Sequence, residues 1–145
     1  MIKGFHHIAI AVKDLDKALQ FFEEIYGVRE IWRSKMHDQK FESALIGDGN
    51  IRYELLASLN SHSLVSRFIE NKGQGIHHLS IEVDRFDEVM ENLKAKGLKI
   101  MGETDTEDFK AAFIHPTSCC GVLTEIIEPK AVSYTHLRAH ETKAN

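Results

Sequence analysis

The octapeptide Ile76-His77-His78-Leu79-Ser80-Ile81-Glu82-Val83 restates Phe5-His6-His7-Ile8-Ala9-Ile10-Ala11-Val12 at an offset of 71 residues. A fixed offset shared by many positions means two copies of one structural unit. Leu15, Ala18, Leu19 and Phe22 stand at the same offset from Phe86, Val89, Met90 and Leu93. Each copy thus has an apolar stripe at i, i+3, i+4 and i+7, the period of a helix. Glu54 likewise maps onto Glu125, each 47 residues after the histidine of its own copy. Two histidines and two glutamates hold matched places.

Residues 5 to 12 alternate, with Ile8, Ile10 and Val12 on one face and His7, Ala9 and Ala11 on the other, as in a half-buried strand. The small alanines beside His7 are expected to leave room for a ligand. Asp14 is the expected N-cap of a helix through Tyr26, and Gly27 its stop. Strands are expected near 28–33, 40–46 and 51–56, the last two joined by the turn-forming Gly47-Asp48-Gly49-Asn50. Residues 61 to 72 have no counterpart; Ser61 or Ser63 can cap a short linker helix carrying Leu64, Val65, Phe68 and Ile69. In the second copy the strand from Gly75 leads to a helix over 85–96, ended by Gly97. Strands at 98–102, 110–115 and 121–127 follow, with Thr104 to Asp108 as an exposed loop.

The 145 residues are 43% hydrophobic and 28% charged, enough for one domain with a real core. We expect that domain to cover 1–130: module one at 3–60, the linker helix at 61–73 and module two at 74–129. Residues 131–145, with no counterpart in the first copy, read as a non-native or disordered tail outside functional reasoning. A net charge of −4 without a basic cluster argues against nucleic acid. No apolar run has the length of a membrane span, and residues 1–4 run into the first strand without a signal segment, so the expected location is cytoplasmic. Cys119 and Cys120 are adjacent, which suits neither a staple nor a zinc pair, and are expected as free thiols.

One histidine from the first strand and one glutamate from the last strand of each copy, His7, Glu54, His78 and Glu125, make a nitrogen/oxygen set suited to a divalent ion such as Co, Zn, Ni or Mn. A lone histidine is more often a core residue; a second histidine with matching glutamates tips the balance toward metal. His6 and His77 lie on the opposite strand face and read as packing or surface residues. His37 and His62 read as solvated, and His115 is balanced between structural and substrate-facing roles. His136 and His140 mimic a metal pair but belong to the tail. Glu42 shares a face with Ala44 and Ile46; turned toward the cleft it would be a general base, although spacing alone favours a sheet-surface acid.

The paired strand–helix–three-strand units with these four residues resemble the vicinal oxygen chelate superfamily over about residues 3 to 129. The resemblance implies an α+β fold of two tandem βαβββ modules. The stretches Leu59 to Leu79 and His115-Pro-Thr-Ser-Cys-Cys-Gly-Val-Leu-Thr-Glu125 look most like the methylmalonyl-CoA epimerases. By that resemblance His7, Glu54, His78 and Glu125 bind the metal, Glu42 falls near the catalytic acid, and Cys119-Cys120 depart from the small residues more usual there. The implied reaction is metal-dependent epimerisation of an acyl-CoA substrate, methylmalonyl-CoA, in which Glu42 and Glu125 remove and return the alpha proton through a metal-stabilised enolate. A homodimer is implied as well. The alternatives are a glyoxalase I-type lactoylglutathione lyase, whose usual Asp-Pro-Asp-Gly turn is absent here, and a metal-free small-molecule-binding or resistance protein.

Overall fold

The computed structural model describes residues 1–36 and 40–131. His37 and the expected tail from residue 132 onward, with His136 and His140, lie outside the described residues. The chain divides into two compact units, one of His7–His77 and one joining Met1–His6 with the residues from His78 onward. The first six residues thus group with the second copy rather than the first.

The first unit takes β1 (Ile2–Val12) from His7, then α1 (Leu15–Tyr26), β2 (Arg29–Met36), β3 (Phe41–Gly47), β4 (Arg52–Ser58) and α2 (Leu64–Lys72). Its strands lie in the order β2-β3-β4-β1, antiparallel except for the parallel β4-β1 pair. Asp14 accepts from the Lys17 N–H and starts α1, and Gly27 ends it at φ 65°, a left-handed conformation that a glycine adopts without strain. The expected stripe does the packing: Leu15, Ala18, Leu19 and Phe22 lie against Val12, Ala44, Ile46, Leu55 and Ala57. In the β3–β4 turn Asp48 accepts from the Asn50 and Ile51 N–H groups. Gly47 has φ 135°, and a Cβ there would meet the Ile51 carbonyl oxygen at 1.9 Å, so only glycine fits.

Ala9 and Ala11 do not border open space, as the sequence led us to expect. Both are fully covered, packed with Leu56 and Val65 and flanked by Phe68 and Ile69 of α2. They are small because a helix lies on them. The segment expected as a linker is therefore a packing element of the first unit. Ser63 starts it, accepting from the Ser66 N–H at 3.0 Å.

The second unit contains β5 (Gly75–Val83) from His78, α3 (Phe86–Ala95), β6 (Ile100–Asp105), β7 (Phe109–Ile114) and β8 (Thr124–Pro129), in the order β5-β8-β7-β6. Again the first and last strands pair parallel and the others antiparallel. Phe86, Val89 and Met90, with Leu93 beside them, pack on Val83, Ala112, Ile114 and Ile126. The N-cap position of α3 is Arg85, at φ 52°, which makes no side-chain cap bond. The cap comes from β8, where Glu128 accepts from the Arg85 and Phe86 N–H groups at 3.2 and 2.9 Å. The last strand starts at Thr124 instead of 121, because Pro116–Ser118 forms a 3₁₀ turn and Gly121, at φ 83°, donates back to the Pro116 carbonyl.

Candidate active and metal site

In a parallel pair, side chains at matched register share a face of the sheet. β1 and β4 pair with Ala9 beside Glu54, and His7 lies two residues earlier on that face. His7 is buried, and its Nε2 is 3.9 Å from Oε1 of Glu54. Donors bound to one ion at about 2.1 Å stand about 3 Å apart at right angles and about 4 Å apart when opposite. The His7–Glu54 separation falls inside that window, so this half of the donor set fits a divalent ion.

The second unit repeats the arrangement. Ser80 pairs with Glu125 in the β5–β8 register, and His78 precedes Ser80 by two on the same face. His78 is buried and held by Phe113, whose ring meets it edge-on at 5.1 Å and 89°. Phe113 reaches it because it pairs with Glu125 across β7 and β8. Ser80 donates to Oε1 of Glu125 at 2.6 Å. Glu125 retains some exposed surface, but desolvation of its carboxyl pushes the pKa up to about 7, while the Ser80 bond acts the other way.

Glu42 lies elsewhere. Its partner across β3 and β4 is Ala57, and it alternates with Ser43 and Leu45, of which Leu45 faces Glu54. It shares the side of Ala44, Ile46 and Ala57, on which α1 packs. The expected turn toward the cleft is therefore not made. The register runs from Phe41 to Gly47 without a shift, and nothing in it could carry Glu42 across.

Ser80 is the residue that sequence reasoning passed over. The signal was the offset itself, by which Ser80 and Glu82 stand on the face of His78 where the first copy has Ala9 and Ala11. His115 has a structural role: its Nδ1 accepts from the Thr117 N–H at 3.1 Å and lies 2.7 Å from Thr117 Oγ1, starting the 3₁₀ turn. His6 is buried; His77 meets the Phe68 ring at 4.9 Å, and desolvation followed by nearby Lys72 lowers its pKa. Both are packing residues, as expected, and His62 is exposed. Cys119 and Cys120 are free thiols, Cys119 half-buried with Sγ 3.4 Å from Thr124 Oγ1 and Cys120 exposed. Among the described residues no helix is long and apolar enough to cross a membrane.

Two βαβββ units, each with a histidine on its first strand and a glutamate on its last, define a vicinal oxygen chelate protein of the α+β class. The pattern of the Glyoxalase/Bleomycin resistance protein/Dioxygenase superfamily matches residues 6–113. The mitochondrial methylmalonyl-CoA epimerase of Bos taurus is 33% identical over 125 residues, covering 83% of this chain and 71% of the relative. Among solved structures, the methylmalonyl-CoA epimerase of Mycobacterium tuberculosis superposes with a TM-score of 0.83 at 29% identity, covering 92% of this chain and 93% of that one. A methylmalonyl-CoA epimerase in complex with methylmalonyl-CoA and NH4+ gives 0.83 at 25% identity, over 91% of this chain and 98% of that one. The chain belongs to this superfamily and, within it, to the methylmalonyl-CoA epimerase family. It is an enzyme of the epimerase type.

Proposed function

We propose that the protein interconverts the two epimers of methylmalonyl-CoA, using a divalent ion held by His7, Glu54 and His78 together with Glu125, the glutamate that the repeat matches to Glu54. The observation that carries this reading is the duplicated His/Glu geometry: a buried histidine and a glutamate on the same face of a parallel strand pair, once in each unit. The proton to be moved sits next to a thioester carbonyl, and its loss leaves negative charge on the carbonyl oxygen. When bound, the ion supplies positive charge where that oxygen charge develops. Two neutral imidazoles and two carboxylates are the donor chemistry such an ion takes.

Glu125 is assigned proton transfer on one face of the alpha carbon, and inversion requires a second proton carrier on the opposite face. Ser80 donates to the Glu125 carboxyl, and the Phe113 ring packs edge-on against His78. Glu42, on the side packed by α1, is taken out of the proton-transferring pair that the resemblance implied. The identity and coverage of the epimerase relatives support the acyl-CoA substrate over the glutathione adduct.

Deuterium uptake at the alpha carbon of methylmalonyl-CoA in heavy water tests the reading, with cobalt-loaded protein and His7→Ala as control. Uptake together with interconversion of the epimers, absent in the variant, is expected. No uptake in protein carrying stoichiometric metal would overturn the substrate assignment, and protein that binds no divalent ion would overturn the metal assignment.

A further inference from the structure

An imidazole binds an ion through a lone pair in the plane of its ring, so a ligating histidine must be turned correctly about its Cβ–Cγ bond. The wells of that torsion are broad, and the rotamer alone does not set it. At His78, which is buried, a second ring stands against the imidazole: Phe113, with the centroids 5.1 Å apart and the planes at 89°. This is the favoured edge-to-face arrangement of two aromatic rings. Turning the imidazole would drive it into the phenyl ring. Phe113 is itself fixed by the sheet, pairing with Glu125 of β8 on one side and Met101 of β6 on the other. β6 bulges between Met101 and Thr104, and Gly102 in that bulge lies close to the ring: a Cβ added to it would stand 3.5 Å from Phe113 Cδ2.

We infer that Phe113 is a positioning residue for the metal, holding the His78 imidazole at the angle the ion needs. The inference rests on the placing of His78 among the metal donors in the reading above, and adds to it the residue that turns that donor. Phe113 has no donor atom of its own and acts through His78. Exchanging its flat ring for a flexible aliphatic chain removes one aromatic pair, which corresponds to about 2- to 10-fold in affinity for the ion.

The test is Phe113→Leu in the full chain, a side chain that the fold already holds at the matching register of the first unit, where Leu45 pairs with Glu54. Cobalt titration of chelator-treated protein is expected to give a Kd raised about 2- to 10-fold and a shifted visible absorption of the bound ion. Phe113→Tyr keeps the ring and is expected to restore both. Phe109 lies four residues earlier on the same face of β7, opposite Pro129, and Phe109→Leu is expected to keep the parental Kd and spectrum whatever it costs in Tm. In the metal-free parent, proton NMR is expected to find the His78 ring protons displaced from their ordinary positions by the Phe113 ring current. A leucine variant with parental Kd and spectrum overturns the inference. So does a tyrosine variant with parental Tm that binds as weakly as leucine, an equal weakening in Phe109→Leu, or His78 ring protons at ordinary positions. A His78→Ala variant that binds cobalt as tightly as the parent overturns the placing of His78 in the metal set and this inference with it, an outcome distinct from the others.

Discussion

Glu42 stands directly opposite Ala57 across β3 and β4, which puts it on the side of the sheet covered by α1. An acid there is separated from the face of His7 and Glu54 by the sheet itself. Glu42→Gln is therefore expected to keep turnover within about twofold of the parent, as most changes to surface groups away from the chemistry do. A loss of 100-fold in kcat would return Glu42 to the reacting pair and show that β3 turns over at this end.

The resemblance, and not the spacing, drew Glu42 toward the site, and parity explains why the two copies differ there. At the 71-residue offset Glu42 corresponds to Phe113, which pairs with Glu125 and sits on the site face. In the first unit the residue pairing with Glu54 is Leu45, three positions further on. The two hairpins differ in length by three residues, an odd number, and an odd shift exchanges the faces of a strand. The helical stripes and the His/Glu pairs were legible because they precede or follow the length difference. Register between β3 and β4 is a long-range fact that no local pattern records. The same holds for Ala9 and Ala11, whose small size read as space for a ligand when it is space for α2.

The covered alanines give a direct check on that correction. With Ala11 fully enclosed by neighbours that include Leu56 and Val65, a larger side chain has nowhere to go. Ala11→Leu is expected to destabilise the protein by about 1–3 kcal/mol through overpacking. Chemical denaturation read by far-ultraviolet circular dichroism measures it, and an unchanged midpoint would mean that α2 does not lie on this face.

Glu128 offers a second stability test, because α3 begins without a cap of its own and borrows this carboxylate from β8. Glu128→Ala removes the acceptor for two helix N–H groups and is expected to cost about 1–2 kcal/mol, near the value of a lost N-cap. The corresponding fall in Tm is about 2–8 °C. Substituting Arg85 with Asn, which tolerates a left-handed backbone and can cap, is expected to return part of the loss.

Asp48 supplies the pH dependence that the structure supports most simply. Hydrogen bonds from the Asn50 and Ile51 N–H groups hold its carboxyl below the ordinary value of 3.8. A folded-state pKa below that of the unfolded chain means stability that is present above the unfolded value and lost as pH falls through the folded one. Carboxyl-resolved NMR titration is expected to find Asp48 below 3.8, and Asp48→Ala is expected to remove that share of the acid sensitivity. A titration at or above the ordinary value would mean that the β3–β4 turn is held by other contacts.

Metal removal tests the four-residue ligand set without relying on turnover. An ion that binds the folded chain and not the unfolded one adds stability by mass action, about 2.7 kcal/mol when free metal is 100 times its Kd. Cobalt added to chelator-treated protein is thus expected to raise Tm by several degrees at one ion per chain. His7→Ala and Glu54→Ala each take a donor from the pair that stands 3.9 Å apart, and both are expected to shrink the cobalt-induced shift while leaving a folded protein. His62→Ala, at an exposed histidine outside the set, is expected to keep the full shift. The comparison separates ligand loss from general destabilisation, because each variant is judged by the difference between its own metal-free and cobalt-loaded Tm. Equal shifts in all three variants would remove His7 and Glu54 from the metal site and leave the duplicated His/Glu pairs as packing inherited from the duplication.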